Sequence, residues 1–334
     1  MSCLCELFIL RRHSHHTIGG AAARFALGRY FTEMARVIEE TNGCLVEFIG
    51  DAILAIWNAP IRARHHATLG VDAALAMRSS LARLRAQWAA RGWPKVDVRC
   101  GLHTATVFVG NIGAPGRMKY GVMGDGVNLA SRLEELNKLY GTRILISDVT
   151  ARAPGMRAHF LLRPVDFVAV KGRSSPVMVH EVVGRHPTGT RATSSRGVAT
   201  HSTTACSEGV KTMMTAYSSS PPHPPKTNTL VMLCETHVEA MVAYLDRDFT
   251  RAAMLLRNVE AIAEKAAAEK AAAAVALPTS TACDGCDDGG DIPAQRKAAG
   301  DIPAALLRER CEFFALHPPP ADWNGCQVLT QKSF

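Results

Sequence analysis

Three stretches of the chain place hydrophobic residues three or four positions apart, the spacing that predicts an amphipathic helix. They span residues 24–41, 62–91 and 125–139. Asn42-Gly43 follows the first stretch, and this pair is typical of a helix end. The apolar stripe of the second stretch contains Leu69, Ala73, Met77, Leu81, Leu84 and Trp88. We therefore expect three helices that each bury one face.

Short apolar runs between and after these stretches predict strands. Residues 44–49 and 52–57 are two such runs, and the tight turn Gly50-Asp51 between them predicts a β-hairpin. Further strands are expected at residues 2–10, 96–103, 106–112, 120–123 and 143–147, with two more inside 160–183. Helices and strands alternate without a strict βαβ rhythm. This order favours an α+β fold in which helices cover a mostly antiparallel sheet.

The pattern changes after the last of these strands. Residues 186–229 are dominated by Ser, Thr, Pro, His and Gly, which cannot bury a core, so we expect a disordered linker. Residues 230–275 are periodic again and predict a helical hairpin similar to one tetratricopeptide repeat. Residues 276–303 are expected to form a loop, and residues 304–334 a helix followed by a tail rich in Pro and Trp. The C-terminal part is therefore expected to be a small helical segment.

Composition and charge limit the class of protein. The 334 residues are 47% hydrophobic, which suffices for a core, and the net charge of +8 suits a polyphosphate, membrane headgroups or nucleic acid. No basic stripe is interleaved with aromatic residues, so we expect no nucleic-acid partner. No apolar run reaches the roughly 20 residues that span a bilayer. The ten scattered cysteines favour a reducing, cytoplasmic compartment, where a larger protein or partner could still provide membrane attachment. Cys283 and Cys286 form a lone Cys-x-x-Cys, which we interpret as a loop.

The third helix carries the first candidate chemistry. Asp125, flanked by glycines, is expected to cap its N-terminus. Asn128 and Arg132 are four residues apart and share one face, while Leu129 and Leu133 are expected to face the core. An amide beside a guanidinium, just after a glycine turn, suits a phosphate whose charge is changing. A solvated helix face would show the same pair.

Four segments together resemble class III adenylate and guanylate cyclases, in the order and with the spacing of that family. They are Phe-Ile-Gly-Asp-Ala-Ile-Leu-Ala-Ile-Trp-Asn-Ala-Pro at 48–60, Arg-Cys-Gly-Leu-His-Thr at 99–104, Gly-Asp-Gly-Val-Asn-Leu-Ala-Ser-Arg-Leu-Glu at 124–134 and Val-Lys-Gly-Arg at 170–173. The resemblance covers about residues 24–184 and implies a ferredoxin-like nucleotide cyclase domain there. It implies a lyase of intracellular signalling that converts GTP or ATP to a 3′,5′-cyclic nucleotide and pyrophosphate. The family works through a two-metal site at a dimer interface, so a homodimer or a heterodimer with another cyclase subunit is expected.

The resemblance also assigns roles to single residues. Asp51 matches a ligand of Mg²⁺ or Mn²⁺, Asn128 the residue that orients the ribose, and Arg132 the arginine that stabilises the pentavalent phosphate. Lys171 matches the lysine that holds the polyphosphate. Arg99 corresponds to a second arginine on the phosphate side.

Two further positions concern the base. Glu47, three residues before the hairpin glycine, stands where adenylate cyclases usually carry Lys and guanylate cyclases carry Glu. A carboxylate accepts both donors of guanine's edge but meets an acceptor at adenine N1. Gly121 stands at the partner position, where the family has a side chain. The pair favours GTP and leaves ATP open.

One family feature is missing. The second metal-binding aspartate of the family is expected near Leu7, yet no aspartate precedes Asp51, and Glu6 is the only carboxylate nearby. Residues 1–23 are therefore expected to be diverged or unstructured. The alternative to an active cyclase is a catalytically impaired, cyclase-like module that regulates a partner or binds a nucleotide.

Overall fold

The computed structural model describes residues 2–14, 21–91, 93, 96–169, 175–187, 228–275 and 300–329. Its helices are α1 (Ala21–Glu40), α2 (His66–Ala89), α3 (Asp125–Tyr140), α4 (Asp148–Ala151), α5 (Met156–His159), α6 (Thr229–Leu245), α7 (Phe249–Val275) and α8 (Ile302–Leu316). Its strands are β1 (Ser2–Ser14), β2 (Cys44–Ile49), β3 (Ala52–Trp57), β4 (Val96–Ala114), β5 (Arg117–Met123), β6 (Ile144–Ser147), β7 (Phe160–Ala169), β8 (Val177–Arg185) and β9 (Gln327–Val328).

The prediction of an α+β fold with a mostly antiparallel sheet is confirmed. The helical character of residues 230–275 and of the C-terminal segment is confirmed as well. The predicted linker and the predicted loop at 276–303 lie almost wholly outside the described residues, as does the Cys-x-x-Cys pair. None of the described helices combines the length and the hydropathy that crossing a bilayer requires.

The described residues form two compact units, and the division falls between Met156 and Arg157, inside the predicted 24–184 domain. In the first unit, the strands lie in the order β2, β3, β1, β4, β6, and β5 pairs with β4. Only the pairing of β4 with β6 is parallel there. Helices α2 and α3 pack on β1 and β4, and α1 contacts α2. The buried face of α2 contains the predicted stripe except Leu69, which is partly exposed.

Strand β1 occupies the middle of this sheet, antiparallel to β3 on one side and β4 on the other. Its backbone places Leu7 opposite Ile56 of β3, and Arg11 opposite Ala52. On the other side, Arg11 lies opposite Arg99 of β4. The strand expected at residues 2–10 is thus confirmed and extends to residue 14.

Three details of the prediction are corrected. Residues 96–114 form one strand rather than two, because β1 pairs without a register shift along residues 96–108 and so maintains the ladder across Thr104. Helix α2 begins at His66, four residues later than expected. Asp125 does not cap α3: Gly124 holds the cap position without a side-chain hydrogen bond, and Asp125 is the first helical residue. At this position the carboxylate of Asp125 still interacts favourably with the positive N-terminal end of the helix dipole.

In the second unit, β8 pairs antiparallel and β9 parallel with β7. Two ion pairs join β7 to α8 and to its N-cap residue Asp301. Arg163 contacts Asp301 at 2.6 Å, and Arg310 contacts Asp166 at 2.8 Å. Tyr244 of α6 accepts a longer hydrogen bond of 3.3 Å from Arg310. The C-terminal helices are therefore an integral part of the unit that contains β7 and β8.

Candidate active site

The exposed face of α3 carries the first two candidate residues. Asn128 is exposed and Arg132 is partly buried, while Leu129 and Leu133 are buried as predicted. Neither Asn128 nor Arg132 has a hydrogen-bond or ion-pair partner among the described residues. With respect to the described residues, the partly buried guanidinium of Arg132 therefore keeps its five donors available for a ligand. Gly124 lies just before them with φ of +149°, a conformation that glycine adopts without strain.

Close contact with β4 fixes the orientation of α3. A Cβ on Gly101 would lie 2.2 Å from the carbonyl oxygen of Ala130 and 2.3 Å from the amide nitrogen of Glu134, so only glycine admits the helix at this distance. Asn137 donates through Nδ2 to the carbonyl oxygen of Cys100 at 3.0 Å. These contacts hold the opposite face of α3, which bears Asn128, toward solvent.

Arg99 lies at the same junction of helix and sheet. Its Nε donates to Oε1 of Glu134 at 3.0 Å, and the side chains of the pair are 13% and 0% exposed. Arg99 thus neutralises a buried carboxylate of α3. Its role on the phosphate side stays a prediction.

Asp51 lies in the turn between β2 and β3. Its side chain is partly exposed and makes no hydrogen bond or ion pair with any described residue. The hairpin was expected from the sequence, and its position in the structure leaves the carboxylate available to a cation. Lys171, the expected polyphosphate ligand, lies outside the described residues.

The register of β1 shows which of its residues lies beside the hairpin turn. Arg11 lies opposite Ala52, next to the hairpin turn. Leu7 lies opposite Ile56, four residues or about 13 Å along β1 from Arg11. Glu6 lies opposite Trp57, at the far end of β3. Counting along the sequence could not find this position, since the register depends on pairing between distant segments.

The described residues do not fit the pair of divalent ions that the resemblance implies. No three His, Cys, Asp or Glu side chains among them are grouped closely enough to hold a metal. Asp51 is the sole carboxylate at the hairpin turn, and the nearest position of β1 is occupied by an arginine. A bridged pair of cations requires more than one carboxylate. We therefore assign no step of the chemistry to a metal held by this chain alone.

The two base-reading candidates lie near each other. Glu47 of β2 forms an ion pair with Lys119 of β5, with 2.6 Å between Oε1 and Nζ. Gly121 follows two residues after Lys119 and is buried opposite Gly110. The contact between Lys119 and Glu47 was not expected from the sequence. Strand alternation could have indicated it, because residues two apart on a strand share a face.

A profile of the family described as "Adenylate and Guanylate cyclase catalytic domain" matches residues 11–183. Among curated proteins, the chain is similar to adenylate cyclase 1 of Rhizobium meliloti, with 40% identity over 159 residues, which are 47% of this chain and 24% of the relative. It is also similar to the adenylate cyclase of Anabaena cylindrica, with 34% identity over 161 residues, 47% of this chain and 31% of the relative. The match thus spans less than a third of the length of these two relatives.

Two solved structures share the fold. The adenylyl cyclase CyaB from P. aeruginosa aligns with 30% identity and a TM-score of 0.51, covering 56% of this chain and 97% of that structure. The guanylyl cyclase Cya2 aligns with 30% identity and a TM-score of 0.50, covering 56% and 95%. One of these neighbours is an adenylyl cyclase and the other a guanylyl cyclase, so the likeness of fold does not select the base.

Proposed function

The chain belongs to the adenylate and guanylate cyclase catalytic domain family, and from this premise we propose that it contributes one half of a nucleotidyl cyclase active site. That half is the pair Asn128 and Arg132 on α3. The substrate would be GTP or ATP, and the products a 3′,5′-cyclic nucleotide and pyrophosphate. Since these nucleotides are found in the cytoplasm, we propose that the protein acts there.

The observation that carries the proposal is the partly buried guanidinium of Arg132, one helical turn from Asn128, which forms no hydrogen bond or ion pair with the described residues. In cyclisation, the ribose 3′-oxygen attacks the α-phosphorus and pyrophosphate leaves, while negative charge grows on the phosphoryl oxygens. A guanidinium fixed beside these oxygens stabilises that charge without reorganising. The amide of Asn128 is suited to hold the ribose in line for the attack.

The second half of the site would come from another cyclase subunit. Arg11 holds the position of β1 beside the hairpin turn, so this position provides no second carboxylate next to Asp51. A partner with an intact first strand would supply the carboxylates for Mg²⁺ or Mn²⁺ opposite this chain's α3. A heterodimer is therefore favoured over a homodimer for turnover, and the chain alone is expected to be catalytically impaired.

The same observation favours a second candidate function. A cyclase-like module that binds a nucleotide without converting it would keep Arg132 available and would have no need of metal carboxylates. Such a module could regulate a partner cyclase by occupying its dimer interface.

Complementation distinguishes the two functions. The chain is mixed with a cyclase subunit that retains its metal carboxylates but lacks its own Asn and Arg, and cyclic nucleotide formation is measured with Mg²⁺ and with Mn²⁺. We expect activity in the mixture and little in either component. An inactive mixture that still associates would support the regulatory module. Strong activity of the chain alone in Mg²⁺ would contradict the half-site.

A further inference from the structure

A cluster of aromatic side chains holds the segment that follows α8. The ring of Trp323 lies edge-on to that of Tyr244 of α6, with 5.2 Å between the ring centroids, and 5.6 Å from that of Phe249 of α7. Phe314 of α8 completes the cluster, 5.5 Å from Trp323. Aromatic pairs at these separations stabilise a contact beyond the apolar area that they bury. The cluster therefore attaches the segment to α6, α7 and α8.

Specific contacts also hold the backbone on both sides of Trp323. Before it, the guanidinium of Arg247 donates to the carbonyl oxygen of Pro320 at 2.8 Å, and it lies 5.8 Å from the centre of the Trp323 ring, a cation–π distance. After it, Gly325 has φ of +83°, which favours glycine. A Cβ on Gly325 would lie 2.5 Å from Cδ2 of Leu245. The path of the chain through this segment is therefore closely defined.

The segment ends on β7 as the short strand β9. Gln327 lies opposite Val168, and Val328 lies opposite Ala169, in parallel register. The amide of Leu329 donates to the carbonyl oxygen of Ala169 at 3.3 Å. On the other side of β7, pairing with β8 stops at Val168. Among the strands that the structure describes, β9 is thus the only one that pairs with the last residue of β7.

Strand β7 ends at Ala169, and Lys171 follows two residues later in the sequence. We propose that residues 317–329, the C-terminal tail, are a positioning element of the nucleotide site that acts through Ala169 on Lys171. This inference rests on the proposed function, since it takes a nucleoside triphosphate as the ligand and Lys171 as the residue that holds its phosphates.

The physical reason is the order that β9 gives to the end of β7. A strand end that is paired on neither side opens locally at little cost in free energy. A ligand then binds only the fraction of molecules in which its contact residue is correctly placed, and the affinity falls by that fraction. Pairing of Ala169 with β9 fixes the chain two residues before Lys171 and so reduces the entropy that is lost when the phosphates bind.

Two substitutions of Leu329 isolate the backbone contact. Leu329→Pro removes the amide that donates to Ala169, whereas Leu329→Ala retains it and is the matched control. In calorimetric titration of the full chain with tripolyphosphate, we expect Leu329→Pro to weaken binding about fivefold, the scale of one net hydrogen bond. Leu329→Ala should change the affinity little. Trp323→Ala should weaken binding about tenfold, because it removes the aromatic anchor of the tail, and Trp323→Phe should restore part of the loss.

A double-variant cycle distinguishes positioning from a general loss of stability. If the tail acts through Lys171, Leu329→Pro should cause no further loss of affinity in a chain that already carries Lys171→Ala. Thermal unfolding of each variant is recorded alongside. Leu329→Pro is decisive, because it leaves the aromatic cluster around Trp323 intact.

Three results would overturn the inference and leave the proposed function intact. They are wild-type affinity of the Leu329→Pro chain, wild-type affinity of the Lys171→Ala chain, and an equal loss from Leu329→Pro with and without Lys171. If the folded wild-type chain bound neither tripolyphosphate nor GTP, the proposed function would fail and this inference with it.

Discussion

Glu134 of α3 is fully buried, and its carboxylate accepts a hydrogen bond of 3.0 Å from Nε of Arg99 on β4. The pair joins the helix that carries Asn128 and Arg132 to the central sheet. A cation at hydrogen-bond distance offsets part of the cost of burying a carboxylate, so Arg99 helps to hold the helix that carries the candidate site.

Replacing Arg99 by alanine should lower the free energy of unfolding, by up to about 3–5 kcal/mol, because it removes the guanidinium that contacts the buried carboxylate of Glu134. Urea denaturation of the purified chain measures this change. The double variant Arg99→Ala/Glu134→Gln should recover much of the loss, since it removes the charge as well. Unchanged stability together with lost nucleotide binding would instead support a role for Arg99 on the phosphate side.

Replacing Asn128 or Arg132 by alanine should abolish activity in the complemented mixture without destabilising the chain. Neither side chain has a hydrogen-bond or ion-pair partner within the part of the chain that the structure describes, so their removal breaks no such contact there. The loss should appear in kcat, since these groups act on charge that develops in the transition state. Lys138→Ala, on the same helix, is the control. If either variant mainly lowered the thermal midpoint, the pair would be structural.

Arg11→Asp should create a metal site. The new carboxylate would stand at the strand position beside the hairpin turn of Asp51, and we expect Mn²⁺ to bind at least tenfold more tightly, which is about 1.4 kcal/mol. Electron paramagnetic resonance of free Mn²⁺ measures the affinity. Leu7→Asp is the matched control, because it places the same carboxylate at the position that sequence counting favours but the register does not. Equal gains from both variants would contradict the register.

Lowering the pH should reduce the stability of the second unit through protonation of His237 of α6. Burial, then the nearby Arg163, lowers the pKa of His237 to about 3, and the carboxylate of Asp301 only partly opposes this. The unfolded chain binds a proton near pH 6.5, whereas the folded chain does not. Stability is therefore fully present above pH 6.5 and falls as the pH drops toward 3, by up to about 1.4 kcal/mol per pH unit.

Amide hydrogen exchange in α6, corrected for the intrinsic pH dependence, follows this effect between pH 7 and pH 4.5. His237→Leu should flatten the profile. The pKa of Asp301 is lowered in the folded chain as well. The stability that this carboxylate contributes is therefore lost only at pH values below the ordinary pKa of a carboxyl group, and it does not explain a change near pH 6. A wild-type profile that is flat from pH 7 to pH 4.5 would contradict the buried neutral imidazole.

The sequence predicted those features that depend on local pattern. The hairpin that carries Asp51 follows from two apolar runs and a turn pair, and the face that carries Asn128 and Arg132 follows from helical spacing. The spacing also separated these polar residues from Leu129 and Leu133, which are buried. These features depend on residues that are close together in the sequence, and so they can be predicted without knowing how distant segments pair.

Features that depend on pairing between distant segments were not predicted. The register of β1 places Arg11, and not Leu7, beside the hairpin turn. The ion pair of Lys119 with Glu47 joins residues separated by 72 positions. The partner of Arg99 is 35 residues away, so the sequence offered no sign that the arginine neutralises a buried glutamate. Each of these is a tertiary contact that overrides what a local motif suggests.

The far end of β4 extends beyond the last residue that β1 pairs with, Phe108. Residues 109–114 are paired, among the strands that the structure describes, only with residues 117–122 of β5. A two-stranded ribbon is marginally stable by itself, so its amides should exchange with deuterium through local opening while the sheet stays closed. Lys119 and Gly121 belong to this ribbon. Binding of a nucleotide beside this ribbon would then include the entropic cost of ordering it, and slower amide exchange in the ribbon would report that the site is occupied.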